Sequence, residues 1–203
     1  MRHGRWTLGV AATALSILAG QGRLDAQDAP VTADLPVLLT SCGQSPGPTR
    51  LQFFLNRLDL QHEFLEMATA QDLADRQAAG EPFKTLIVVT GASLKGMGAA
   101  GVSMREELIR TEALLAEAKR RGMTIIGAHV EGMARRAQGA AAGDNSDEQS
   151  IDAVMPFADL LIVRQDGDED RRFSIISENS GIPLILFEKN MEMGDVLGGV
   201  FNL

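Results

Sequence analysis

Three sets of residues in this 203-residue chain have the types that chemistry uses. Ser41 and Cys42 close one apolar run and His129 closes another. A hydroxyl or thiol nucleophile with an imidazole base would serve a hydrolase or transferase. The competing reading of Cys42 is a small buried residue at a strand end, the commoner fate of a lone cysteine. The second set is Ser41, Gln44 and Ser45, then Gly91, Ser93, Lys95 and Gly96, then His129 with Arg135 and Arg136. Hydroxyls, glycines and cations of this kind, beside backbone N–H groups near helix starts, make a site for a small anion. The competing reading of Arg135, Arg136 and Lys189 is solvated surface charge. The third set is His129 with Glu131 or Asp166 as metal ligands, but no spacing among them is diagnostic. The run Asp166-Gly-Asp-Glu-Asp lacks the glycine and closing glutamate positions of a calcium loop and reads as a solvated turn.

The segment Val88–Gly98, VVTGASLKGMG, resembles the nucleotide-binding turn of short-chain dehydrogenases, TGxxxGxG. It follows a predicted strand, and Glu131 ends the next, where an acidic residue would meet a ribose. Three departures weigh against it. One extra residue separates Gly91 from Gly96, the motif sits mid-chain, and the catalytic tyrosine of that family has no counterpart in a chain without tyrosine. Gly91 and Gly96 also have P-loop spacing, but Met97 stands where lysine is required. No cofactor is expected.

These residues need elements to hold them. Leu35–Thr40 and Thr85–Thr90 are continuous apolar runs, as in strands buried on both faces. Met123–Val130, Leu160–Val163 and Ile182–Phe187 read the same way, and His62–Met67 as a short strand. Between them, apolar spacing predicts helices over 49–58, 69–79, 103–121, 151–157, 172–179 and 193–201. Ser103 and Glu106 form a capping box, with Gly122 past the far end. Residues 91–101 read as a glycine-rich loop and 137–146 as a small polar loop. Strands alternating with helices predict an α/β fold: three layers and a mostly parallel sheet of about five or six strands, Rossmann- or flavodoxin-like. Ligands of such sheets bind outside the carboxyl ends of the strands, where the second set falls.

Residues 1–26 read as a signal peptide. Arg2 and Arg5 precede the uncharged stretch Trp6–Ala19, and Leu24-Asp25-Ala26 is a cleavage site, with cleavage after Gly22 as the alternative. Residues 27–34 are a short polar lead and 35–203 a single domain. Leu39–Cys42 matches a lipoprotein cleavage box in type, but Asp34 and Pro36 interrupt the apolar stretch that must precede one. The chain carries a net charge of −8, and removal of Arg2, Arg5, Arg23 and Asp25 takes it to about −10. So acidic a surface argues against nucleic acid and anionic membrane as partners, and no membrane insertion is expected after signal cleavage. A single cysteine excludes an intramolecular disulfide.

LPVLLTSCGQS (35–45), KTLIVVTGASLKGMGAAG (84–101) and the 125–136 stretch with AHVEGMARR resemble a family of bacterial exported α/β domains of unknown function. The likeness spans essentially all of 35–203. It implies the fold and export, to the periplasm or medium, and brings no activity and no catalytic residues. The expectation is an exported domain binding a small anionic metabolite at the carboxyl edge of its sheet through Ser41, Gln44, Ser45, Gly91, Ser93, Lys95, Gly96, His129 and Arg136. The alternatives are a hydrolase or transferase using Cys42 or Ser41 with His129, and an accessory module for a membrane transport protein.

Overall fold

The computed structural model describes residue 1, residues 31–137 and residues 145–203. The predicted signal peptide and most of the predicted 137–146 loop lie outside the described residues. Six strands form one sheet: β1 Val37–Cys42, β2 His62–Phe64, β3 Thr85–Thr90, β4 Thr124–His129, β5 Leu160–Arg164 and β6 Leu184–Phe187. Their order is β2-β1-β3-β4-β5-β6, and every neighbouring pair is parallel. Among the described residues seven α-helices connect and follow them: α1 Gly47–Arg57, α2 Ala70–Ala78, α3 Leu94–Ala100, α4 Met104–Arg120, α5 Ser146–Val154, α6 Arg172–Ser180 and α7 Met193–Val200.

The side-chain period of two explains the layers. Leu38, Leu86, Val88, Ile125, Leu161 and Val163 point to one face and pack with Leu73, Leu114, Ile151 and Phe173 of α2, α4, α5 and α6. Val37, Leu39, Ile87, Ile126 and Ile162 point to the other and pack with Leu51, Phe54, Leu55 and Leu197 of α1 and α7. β1 and β3 are buried along their whole length, which is why they read as unbroken apolar runs. Among the described residues no helix is long and apolar enough to cross a membrane.

The main departure from the sequence reading lies at 91–101, where a loop was expected and residues 94–100 are helical. Ser93 caps this short helix by accepting the Gly96 N–H at 3.0 Å, and Gly101 ends it in the left-handed conformation. Glycine normally disfavours a helix, but here contact demands it. A Cβ on Gly96 would overlap the Gln44 carbonyl oxygen, whereas one on Gly98 would meet nothing within 4 Å. Gly98→Ala is therefore expected to raise the unfolding free energy by about 0.5–1 kcal/mol through helix propensity. Gly96→Ala is expected to lower it by about 1–3 kcal/mol despite the same propensity gain. Urea unfolding of the two variants checks this, and equal effects would remove the proposed close approach.

Candidate functional site: the crevice between β1 and β3

β2 lies on one side of β1 and β3 on the other, so the strand order reverses at β1 and leaves a crevice at the carboxyl ends of β1 and β3. The loops leaving those two strands are tied together. Ser93 N–H donates to the Gly43 carbonyl at 2.7 Å, and Gln44 bridges to Ala92. Gly43 and Gln44 both have positive φ, 98° and 59°. Glycine suits the first, because a Cβ there would meet the Gly91 carbonyl oxygen at 2.7 Å.

A buried carboxylate holds this loop. Glu107 of α4 is fully buried. Its Oε2 accepts the Gly43 N–H and the Gln44 side-chain amide, each at 2.9 Å, and Arg110 donates from Nε to Oε1 and from Nη2 to Oε2, each at 3.0 Å. Arg110 in turn donates to the carbonyls of Ser41 and Ala68, each at 2.6 Å. Burial pushes the Glu107 carboxyl up, but Arg110 and the Gly43 N–H outweigh it and hold its pKa below the ordinary value.

Above this loop lies a cleft of about 600 Å3. Six of the nine residues expected from sequence to bind the ligand line it: Ser41, Gln44, Ser45, Ser93, Lys95 and Gly96. Thr49, Phe64, Glu66 and Arg135 complete its chemistry. Gly91 sits behind the lining. Its N–H donates to Ser150 Oγ at 3.0 Å, and a Cβ on it would lie 3.2 Å from Ser45 Oγ. The N-cap of α1 is Pro46, which has no side chain to cap the first turn; Ser45 Oγ accepts the Gly47 N–H at 3.3 Å instead. Lys95 is exposed and Arg135 half-buried. Arg135 donates to the Ala92 carbonyl at 2.8 Å and lies 3.5 Å from the Glu131 carboxylate.

His129 and Arg136 are not in the cleft. The expectation that they join it is corrected by burial. Residues 132–135 form a single 3-10 turn that carries Arg135 to the cleft, while Arg136, next in the chain, is buried with the α5 and α6 side of the molecule. Its guanidinium pairs with Glu148 at 2.7 Å and Asp170 at 2.6 Å, and donates to the Gly167 carbonyl. Arg172 pairs with the same Glu148 at 2.9 Å and also with Asp152. Lys189 is exposed and outside the cleft.

His129 is fully buried against Phe173, with 4.8 Å between ring centroids. Its Nε2 lies 3.0 Å from the Gly132 carbonyl, an acceptor, so Nε2 carries the proton and Nδ1 faces the Thr90 hydroxyl at 3.0 Å. Both nitrogens are occupied. Burial brings its pKa down to about 4, against the opposing pull of the Gly132 carbonyl. The unfolded chain therefore takes up a proton near pH 6.5 that the folded chain refuses. Stability from this residue is complete above that pH and is lost as the pH falls towards 4, by roughly 1.4 kcal/mol per pH unit. Urea midpoints are expected to drop between pH 7 and about 5.5 and to flatten in His129→Gln. A wild-type midpoint constant over that range would contradict the buried neutral imidazole.

The nucleophile–base pairing does not form either. Cys42 is in register with Thr90, which stands between it and His129, so the two lie two strands and about 10 Å apart. Burial pushes the Cys42 thiol up to about 11, against the Thr111 hydroxyl. Asp166 pairs with Arg164, and Asp168 accepts the N–H groups of Phe173 and Ser174 as a cap for α6. Among the described residues no cluster of three or more histidine, cysteine or acidic side chains is placed to hold a metal.

Glu107, next to the capping-box residue Glu106, carries no local signature of its role, and the sequence expectation places Arg136 rather than Arg135 in the site. The one available signal for Glu107 was its position among apolar residues on the inward face of the helix.

A family model described as a domain of unknown function, DUF6305, matches residues 34–201. The chain matches no curated protein. Among solved structures it is similar to a GDP-L-fucose synthetase from Naegleria fowleri bound to NADP, at 9% identity and a TM-score of 0.37, over 79% of this chain and 51% of that one. It spans only about half the synthetase's length. A putative lipolytic protein of the G-D-S-L family from Desulfitobacterium hafniense is similar at 14% identity and a TM-score of 0.36, over 81% of this chain and 98% of that one. The psychrotrophic esterase EstA from Pseudoalteromonas sp. follows at 12% identity and 0.33, over 76% and 78%. Likenesses this distant carry no argument about activity.

Proposed function

Since the chain belongs to the DUF6305 family of domains of unknown function, we propose a role from its own cleft: it is an exported domain that binds a small anionic metabolite, carboxylate- or phosphate-bearing, in the β1–β3 crevice. The observation that carries this is the convergence of Lys95 and Arg135 with the hydroxyls of Ser45, Ser93 and Thr49 in one cleft at the switch point of the sheet. In a protein of net charge −8, a pair of cations beside hydroxyls is a local exception, and local charge decides which ligand enters. Glu66, the one acidic lining residue, favours a ligand with a hydroxyl or amine beside its anionic group. Export rests on the N-terminal leader, and binding is favoured over catalysis because His129 is sealed away from Ser41, Ser45 and Cys42.

A thermal-shift screen against di- and tricarboxylates, phosphate, sulfate, nucleotides and nicotinamide cofactors tests the reading. A ligand at 100 times its Kd stabilises by about 2.7 kcal/mol. The expected result is a selective response to one anion class that Lys95→Ala and Ser45→Ala abolish. A response unchanged in both variants places the site elsewhere.

A second reading, an accessory module for a membrane protein, is favoured by an apolar groove of about 650 Å3 between α4 and α5, where Leu108, Leu115, Ala153 and the exposed Phe157 meet. Silence across the anion screen, with partner capture lost in Phe157→Asp, would favour it.

A further inference from the structure

A smaller cavity opens on the other side of α1. It measures about 290 Å3, lies where the carboxyl ends of β4 and β6 meet α1 and α7, and shares no lining residue with the β1–β3 cleft. Its buried lining is apolar: Phe54, Val130, Phe187 and Met193 are each at least nine-tenths buried. Its exposed lining is Phe53, Asn190 and Arg50.

Two features of that rim point to a ligand. The first is Arg50. Among the described residues its side chain makes no hydrogen bond, and its one ionic neighbour is Glu131, 3.9 Å from Nη2. Glu131 is buried and lies closer to Arg135, at 3.5 Å, so one carboxylate serves two guanidiniums loosely. Arg50 therefore keeps its planar set of donors for a second anion, and a carboxylate matches that fork with two parallel bonds. The second is Phe53. It stands edge-on to Phe54, with ring centroids 5.1 Å apart, yet is 57% exposed, and Met191 beside Asn190 is 64% exposed. A large aromatic ring left in water at the lip of an apolar cavity gains burial when the cavity fills.

The volume bounds the guest. It is at the low end for small-molecule sites and suits a molecule on the order of ten non-hydrogen atoms. A nucleotide or a sugar phosphate is too large and too polar for these walls.

We infer that this cavity is a second ligand site, taking a small aryl or branched alkyl carboxylate whose carboxylate pairs with Arg50 and whose hydrocarbon body fills the space between Phe54, Phe187 and Met193. The inference does not depend on the anion cleft, and a failure of either leaves the other standing.

The probe is phenylacetate, titrated to about 20 mM into isotope-labelled protein and followed by amide chemical shifts. Saturable shifts are expected at Arg50, Phe53, Val130, Phe187 and Met193. Arg50→Gln and, separately, the uncharged analogue phenylacetamide should each weaken binding about tenfold or more. Phe53→Ala should also weaken it, and Lys95→Ala should leave it unchanged. Arg50 and Phe53 are exposed, and the spectra themselves report whether each variant is folded. The inference is overturned if shifts are absent or scattered, or if phenylacetate binds the Arg50 variant, or phenylacetamide the wild type, as tightly as phenylacetate binds the wild type.

Discussion

Glu107→Ala is expected to cost about 3–5 kcal/mol of unfolding free energy, because it strands a buried guanidinium. Arg110 is nine-tenths buried, and its guanidinium is a donor without an acceptor of its own. Without Glu107 it keeps, among the described residues, only the carbonyls of Ser41 and Ala68. The Gly43 N–H and the Gln44 amide also lose their shared acceptor, and an orphaned buried donor costs about 1–3 kcal/mol. Single domains are stable by about 5–15 kcal/mol, so the variant sits near the edge of folding. Glu107→Gln keeps an acceptor for the loop and loses the charge, so it should fall between alanine and wild type. Urea unfolding measures the loss. Amide exchange at Gly43 and Ser93 measures whether the β1 and β3 loops open before the rest of the domain. The effect should reach function: the cleft takes Gln44 and Ser45 from the loop that Glu107 holds, so an anion response surviving in Glu107→Gln should be weakened more than in a variant of similar stability elsewhere. A Glu107→Ala protein as stable as wild type would show that the buried pair contributes nothing beyond its own desolvation.

Glu148→Ala should be comparably severe for a different reason. Glu148 is fully buried and, among the described residues, is the only carboxylate paired with both the Arg136 and the Arg172 guanidinium. Burial lowers the Arg136 pKa and the carboxylates of Asp170 and Glu148 raise it, with the carboxylates prevailing. With Glu148 gone, Arg136 retains Asp170 and Arg172 retains Asp152, and both of those are partly exposed. The expected loss is about 3–5 kcal/mol, or a fall in Tm of roughly 6–20 °C for a domain of this size. Glu148→Gln should lose less, because one amide oxygen still accepts from Arg136 Nε. The α5 end that Glu148 anchors also carries Ser150 and Asp147, which accept the N–H groups of Gly91 and Ala92. Loss of the network should therefore loosen the β3 loop of the cleft as well, visible as faster amide exchange at Gly91 and Ala92. A Tm unchanged within a degree or two would contradict this account of the pair.

The two predictions share a pattern that marks the boundary between sequence and structure in this protein. Short-range chemistry was legible directly. VLLTSC and TLIVVT read as buried strands because burial on both faces leaves no polar alternation. The Ser103–Glu106 box and the positive-φ Gly122 set the ends of α4 because a cap is decided within four residues. The alternation of strands and helices placed Ser41, Gln44, Ser45, Ser93, Lys95 and Gly96 along one sheet edge, and the structure brings those six to one cleft. Helix α3 escaped because its glycines argue against a helix locally, whereas the backbone of Gln44, 52 positions earlier, requires one of them.

Charge was the part no local pattern could assign. Arg135 and Arg136 are equivalent in composition and adjacent in the chain. One faces the cleft and the other is sealed against Glu148 and Asp170, and that difference comes from partners 12 and 34 residues away. Glu107 looks like one of two acids in a first turn, but it meets Gly43 and Gln44 only because α4 crosses behind β1. His129 ends a strand as a catalytic base would, but packing buries its ring against Phe173 and gives both its nitrogens partners within the fold. Strands, caps and the edge that bears the candidate site follow from forces acting within a few residues. Which charges are spent on the fold and which remain for a ligand follows from the dielectric and the partners that packing creates, and these exist only once the chain has closed on itself.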